Sequence, residues 1–472
     1  LAEGLRVQIL DDGMQWEQSP MYHNEVFHCS LEALRLAKRY GIPLPETYVE
    51  TIRRMAYANL TWKKPNHCQV TQGDSDETDL RDLLSQSAYL FSDPVLKSGG
   101  FSCMDFDGAW DYLQEGAERY EAMEAQEPDF LVKDMECSGN FYLRSGWTEN
   151  SDFFHFRSGS LGGGHGHSEK LHMDLVIGGE DILMDSGRYH YVDDEIRHTL
   201  KNALSHNTPT IDSRDYVTCL DSWGVKGMSP AYHRPFCQKN GFTLVQGGHA
   251  GYLQEGLGDV YINRRVLALG TDLYVVADEF FTAGEHEFQQ NFHFNPDGKV
   301  KLKNAGDDLG CGENGSPIPS AHYSGQTVDA DFIFVESPAK TCDSSLQVQL
   351  KDSRLSRNYN QMENNQSLTI SRKKSGFCCL LTVIAGGKKD SYQAPEVTPL
   401  EVTCSAGASV RTEEEAHGLR IAFNGKTYVV IISHTDIGHN SDLLAAGGYL
   451  GLGTVIVFEE GDAKTGGTVM CW

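Results

Sequence analysis

At 472 residues, with 40% hydrophobic and 22% charged residues, the chain has a globular composition and enough length for about two or three domains. Its 40 Lys and Arg against 66 Asp and Glu give a formal net charge of −26, which argues against non-specific binding to nucleic acid or anionic membranes, since both need a basic surface. No apolar run is long enough to cross a bilayer as a helix.

Leu1–Leu10 reads as the tail of a helix already under way, and the first residue is not Met. A chain truncated at its N-terminus is therefore expected, and a missing leader would leave no trace. A helix should follow Ser19-Pro20, with Phe27, Leu31 and Leu34 on one face and a stop at Gly41. A second follows Pro45 and aligns Ile52, Met55, Ala56 and Leu60; a third aligns Leu80, Leu83, Leu84, Ala88 and Phe91, with Asp76 as N-cap. A fourth carries Trp110 and Leu113. Such helices with short breaks suggest antiparallel hairpins.

From about Phe141 the pattern turns to short β-branched and aromatic runs between Gly, Asn and Asp turns, such as Leu273–Ala277, Tyr428–Ser433 and Thr454–Glu459. In Phe288–Phe294 the residues Phe288, Phe292 and Phe294 alternate with Gln289, Asn291 and His293, as in a half-buried strand. The organisation expected is α+β and multidomain: helices over 1–125, a polar linker over 126–137 and a large antiparallel β-sandwich over 138–472. The twelve cysteines form no C-x-x-C pair, so free thiols are expected, which point to the cytoplasm rather than the periplasm or secretion.

Three segments carry candidate chemistry. The first is Gly162-Gly163-Gly164-His165-Gly166-His167, followed by Asp185-Ser186-Gly187 and His206-Asn207-Thr208. On a strand, His165 and His167 would share a face. His167, Asp185 and His206 could supply two imidazoles and a carboxylate to a divalent ion; a flexible glycine loop with unrelated surface histidines is the alternative. No Gly-Lys-Ser/Thr follows, so a P-loop is excluded. The second segment, Asp12–Glu25, gathers Glu17, Tyr22 and His23 at a helix entrance. Tyr22 and His23 point about 100° apart on a helix, so they cannot both aim at one atom. The third, Gly73–Asp79, is acidic enough for calcium but lacks the EF-hand spacing, and N-capping of the next helix is the expectation.

Together and in this order, these motifs resemble heparinase II/III-type polysaccharide lyases, from Asp12 to about Pro296. The resemblance implies an incomplete (α/α) toroid, here truncated at its N-terminus, followed by an antiparallel β-sandwich. It implies that Tyr22 is the catalytic tyrosine, His165 the active-site histidine, and His167, Asp185 and His206 the ligands of a structural metal, zinc first, with calcium or manganese as alternatives. The Asn or His that the family places upstream of the tyrosine falls before Leu1. Glu169 stands where similar sequences carry Asp, two residues past the metal histidine, and would alter a contact behind the ligands. The activity implied is β-elimination of a uronic-acid-containing glycosaminoglycan of the heparan-sulfate kind, with alginate or another polyuronate as the alternative. The partner is an acidic polysaccharide or oligosaccharide, with no nucleic acid and no membrane; the oligomeric state is open.

A polyanion needs cationic walls, for which Lys170, Arg188, Arg197 and Lys201 are candidates. Tyr189 and Tyr191 could stack on sugars, and Glu17 and His23 complete the substrate-binding candidates. Two other classes compete. A glycoside hydrolase would need paired carboxylates, such as Glu17 with Glu25 or Asp76. A non-catalytic glycan-binding protein would need none.

Overall fold

The structure is a computed structural model that describes all residues except 1, 254–255, 257–258, 304–317, 342–343, 405–408, 436–442, 462–466 and 472. Leu1, at the head of the first expected helix, thus lies outside the described residues. Seven α-helices and several antiparallel sheets are found among the described residues, an α+β organisation. They fall into two compact units: 1–206, 217–228 and 354–364 in the first, and the remainder in the second.

The first unit opens with α1 (Ala2–Gln8), α2 (Pro20–Tyr40) and α3 (Glu46–Trp62), followed by α4 (Arg81–Phe91), α5 (Pro94–Gly99) and α6 (Phe106–Glu121). Pro20 opens α2, where a missing N–H costs nothing. Gly41 closes it in the left-handed region at φ 65°, its turn returning an N–H to Ala37. Between them, Phe27, Leu31 and Leu34 are fully buried against Ile52, Met55 and Leu84, each contributing roughly 1.5–3 kcal/mol of apolar burial. One expectation fails here, the Asp76 cap, while the helix expected to carry Trp110 and Leu113 is found. Asp76 does not cap α4, whose first residue is Arg81, because its carboxylate is committed to Arg188. Trp110 and Leu113 lie on α6 but are 76% and 62% exposed; the helix buries Gly108, Gly116 and Tyr120 instead.

The expected linker at 126–137 contains a strand, β1 (Val132–Met135), whose exposed Lys133 gave it a polar appearance. It pairs with β2 (Asn140–Arg144), and β3 (Phe153–Arg157), β4 (Met173–Ile177) and β5 (Glu180–Leu183) complete an antiparallel sheet. Met135, Tyr142, Phe153 and Val176 share one apolar core with the helices, so the first unit does not end at residue 125. A short helix, α7 (Glu195–Lys201), follows.

In the second unit an eight-stranded antiparallel sheet is centred on Leu273–Phe281 and Cys378–Lys388. It shares a core with a five-stranded sheet that includes Ala416–Phe423 and Lys426–Ser433, through residues such as Val383, Val275, Leu419 and Val430. The strand Glu285–His293 is not half-buried: Gln289, Asn291 and His293 are as hidden as its phenylalanines. Residues 209–211 pair with it as the neighbouring antiparallel strand, and Gln289 bonds Ser213 while Asn291 bonds Thr208 and Thr210. Buried amides are tolerated when so paired.

Candidate active site

Tyr22 lies in the first turn of α2, half-buried, whereas the next residue is rotated into the core. His23 is 0% exposed and meets the Trp62 ring edge-on at 4.8 Å. Burial lowers its pKa to about 3. His23 is thus a core histidine, and its expected substrate contact is corrected by its burial.

His165 and His167 do not share a strand; both lie in the loop joining β3 to β4. Backbone proximity shapes this loop. Gly162 sits at φ 83°, where a Cβ would lie 2.2 Å from the Glu17 carbonyl oxygen. Gly73, at φ 59°, would put one 2.7 Å from the His165 carbonyl, which accepts the Asp74 N–H at 2.9 Å. Only glycine permits both approaches. The His165 ring consequently stacks on Tyr22, with centroids 3.4 Å apart and planes 13° off parallel, while its Nδ1 bonds the Glu17 carboxylate.

The Tyr22 hydroxyl meets the Tyr191 hydroxyl at 2.7 Å, and the Tyr191 hydroxyl accepts a hydrogen bond from Arg188 Nη1. Arg188 is held from behind by both oxygens of Asp76, at 2.9 and 2.8 Å. These bonds raise its pKa even though burial opposes them. Trp223 stacks on Tyr191 at 4.7 Å and meets His165 edge-on at 5.3 Å, and Tyr359 lies 5.0 Å from the Arg188 guanidinium. Trp223 and Tyr359 are 45% and 43% exposed, so the cluster reaches the surface. Both were missed in the sequence, since each stands alone in a turn with no periodic or motif signal.

The expected cationic wall is internal. Lys170, Arg188, Arg197 and Lys201 are all buried. Arg197 binds both oxygens of Asp74, and Lys201 holds the Gly164 carbonyl at 2.8 Å. Tyr189 packs on its neighbour His190 at 4.6 Å. The acidic run at 73–79 reaches the start of α4, where Asp79 accepts the Arg81 N–H at 2.9 Å as expected of a cap, but it does not gather around one point. Asp74, Asp76, Glu77 and Asp79 each pair with a different cation: Arg197, Arg188, Lys64 and Arg81. Glu169 is buried, accepting the Gly73 N–H at 3.1 Å and facing Arg157 at 3.3 Å.

His167, Asp185 and His206 converge, with potential ligand atoms all within 4.8 Å of one another. His167 Nε2 is spent on Asp74 at 2.8 Å and His206 Nδ1 on Asp185 at 2.9 Å. His167 Nδ1 and His206 Nε2 are buried with no hydrogen-bond partner. Burial lowers the pKa of both rings, that of His206 to about 3, so both are neutral at pH 7. Two orphaned imidazole nitrogens beside a carboxylate, one ring oriented by a second carboxylate, fit a divalent ion.

Residues 128–398, more than half of the chain, match the family described as "Heparinase II/III-like, C-terminal", and residues 1–95 match "Heparinase II/III N-terminus". A heparin-sulfate lyase of Pedobacter heparinus is 27% identical over 222 residues, covering 45% of this chain and 31% of that protein. One from Bacteroides stercoris is 26% identical over 219 residues, covering 45% and 30%. The matched region is thus under a third of the length of these curated relatives. Among solved structures, the heparan sulfate lyase HepC from Pedobacter heparinus superposes with a TM-score of 0.70 at 18% identity, covering 92% of this chain and 61% of that one. A heparinase III structure gives 0.69 at 17%, covering 92% and 62%. At such identities the structural likeness speaks for the fold alone, but the family matches extend over most of the chain. This chain belongs to the heparinase II/III family.

Proposed function

We propose that this protein is a polysaccharide lyase that cleaves a uronic-acid-containing glycosaminoglycan of the heparan-sulfate kind by β-elimination, with Tyr22 as the acid/base. In this reading the helices of the first unit are part of an (α/α) toroid and the antiparallel sheets are a β-sandwich. The observation that carries it is the hydroxyl chain from Tyr22 through Tyr191 to Arg188.

β-Elimination removes the proton on C5 of the uronate. The C5–H electron pair becomes the C4=C5 double bond, and the C4–O bond breaks with a proton going to the departing oxygen. A tyrosine serves as the base only if its phenolate is stabilised. Tyr191 can donate to the Tyr22 oxygen while accepting from Arg188, so cationic charge reaches Tyr22 through one hydroxyl. The same phenol, once protonated, can return the proton to the leaving oxygen. His165, flat against Tyr22 with Nδ1 held by Glu17, presents Nε2 as a hydrogen-bonding partner for the sugar. Trp223 and Tyr359 offer exposed rings for stacking.

His167, Asp185 and His206 would hold a divalent metal, zinc in the first place, with calcium or manganese as alternatives. Such an ion would tie together the segments that carry these three residues and would supply no water nucleophile, which elimination does not need. The hydrolase reading loses support because Glu17 is engaged by His165 and Asp76 by Arg188, so neither is poised for a glycosidic bond. Incubating the full-length protein with heparan sulfate and with alginate tests the proposal. An ultraviolet-absorbing unsaturated uronate is expected from heparan sulfate. Reducing ends without that chromophore would mean hydrolysis and overturn it, and a chromophore from alginate alone would move the substrate to another polyuronate.

A further inference from the structure

We infer that the second compact unit holds a zinc site of its own, formed by Cys379, His417 and His434, with Glu279 as the carboxylate that orients His434. The inference stands apart from the lyase reading and from the cluster at His167. Cys379 lies on the strand Cys378–Lys388, directly opposite Glu279 on Leu273–Phe281, so both side chains leave the same face of the eight-stranded sheet. His417 comes from the strand Ala416–Phe423 and His434 from the residue just past Lys426–Ser433, both of the five-stranded sheet. The four side chains thus meet where the two sheets share their core.

The potential ligand atoms of Cys379, His417 and His434 lie within 4.8 Å of one another, and all three residues are buried. His417 Nδ1 and His434 Nε2 face each other at 2.7 Å. Ligand atoms on a tetrahedral zinc sit roughly 3 to 4 Å apart, so small side-chain shifts would admit the ion. The second nitrogen of His434 is 2.6 Å from the Glu279 carboxylate, which Asn263 at 2.6 Å and Arg265 at 3.1 Å hold in turn. A carboxylate behind a histidine whose other nitrogen points at further donors is the usual support of a metal-binding imidazole. One thiol with two imidazoles selects zinc over the oxygen-seeking calcium and manganese. Neighbouring Cys378 points to the opposite face of its strand and takes no part. The ion would cross-link the two sheets.

Cobalt substitution of the full chain tests this, because a cobalt–thiolate bond gives a near-ultraviolet charge-transfer band that a site of two histidines and an aspartate cannot give. The cobalt-loaded protein should show the band. Cys379→Ser should abolish it and lower zinc content by one equivalent, whereas His167→Ala should leave it intact. Glu279→Gln, which removes no ligand, should keep the fold and weaken zinc binding at this site by about 10- to 100-fold. No band in the wild-type protein, or a band that survives Cys379→Ser, would overturn the site. Unchanged zinc affinity in Glu279→Gln would overturn the role given to the carboxylate. The first failure would leave a metal-free His417–His434–Glu279 hydrogen-bond chain, and the lyase reading would be untouched.

Discussion

Asp74 joins three features of the first unit, so its replacement by Asn is the most informative test of how the site is held. The carboxylate is 0% exposed and accepts from Arg197 Nη1, from Arg197 Nη2 at 2.7 Å and from His167 Nε2 at 2.8 Å. Although burial opposes it, these partners hold the carboxyl well below the usual carboxylate range. Asp74→Asn keeps the volume but strands the Arg197 guanidinium, itself 1% exposed, without a counter-charge. Breaking a buried pair in this way costs about 3 to 5 kcal/mol, or roughly 6 to 20 °C in Tm for a unit of this size. Five of the six tryptophans lie in the first unit, so urea unfolding followed by fluorescence reports on it. Asp74→Leu combined with Arg197→Met should recover most of the loss, since apolar replacement of both partners removes the stranded charge. A loss under about 1 kcal/mol for Asp74→Asn would refute the reasoning, because only an exposed or water-relaxed pair behaves that way.

Tyr191→Phe should leave folding within about 1 kcal/mol and lower kcat with little change in KM; steady-state kinetics showing the loss mainly in KM would make Tyr191 a sugar contact instead. Gly162→Ala meets both a positive φ and the Glu17 carbonyl, and should cost about 1 to 3 kcal/mol and lower activity by displacing His165, as read by thermal unfolding and initial rates. In the second unit, Arg372 at 2.8 Å and Lys374 at 3.1 Å depress Glu413 from 4.5 to about 2 against the effect of burial. A depressed carboxyl contributes stability that is fully present above the unfolded value and lost as pH falls through the folded one. About 3 kcal/mol should therefore disappear between pH 4.5 and about 2. Urea midpoints by circular dichroism across that range should show a flatter limb in Glu413→Gln, and an unchanged slope would contradict the assignment.

The helical apolar stripes, the Pro20 start and the Gly41 stop were legible because they are local and periodic. The joining of Tyr22 to His165 came from the family resemblance; spacing could not supply it, as 142 intervening positions separate them. The fate of the charges was not legible. Lys170, Arg188, Arg197 and Lys201 read as a solvent-facing wall because Lys and Arg are rarely buried, yet carboxylates at 74 and 76 or backbone carbonyls hold three of them inside. The acidic run at 73–79 reads as a cap or an ion loop for the same reason, since its partners lie as far off as residues 188 and 197. β1 hid in an apparent linker because only Met135 of its four residues is buried. The Cys379–His417–His434 cluster left no motif, because its residues come from two strands and the end of a third and meet only through sheet packing.

Tyr22 is the group proposed to move the C5 proton, and the most direct test of that role is the rate at which the unsaturated uronate chromophore forms from heparan sulfate with the full-length protein and with Tyr22→Phe. The variant should keep the wild-type unfolding midpoint and lose at least about 100-fold in rate, the lower range for a positioned acid/base. A folded Tyr22→Phe protein that still forms the chromophore at near the wild-type rate would contradict it.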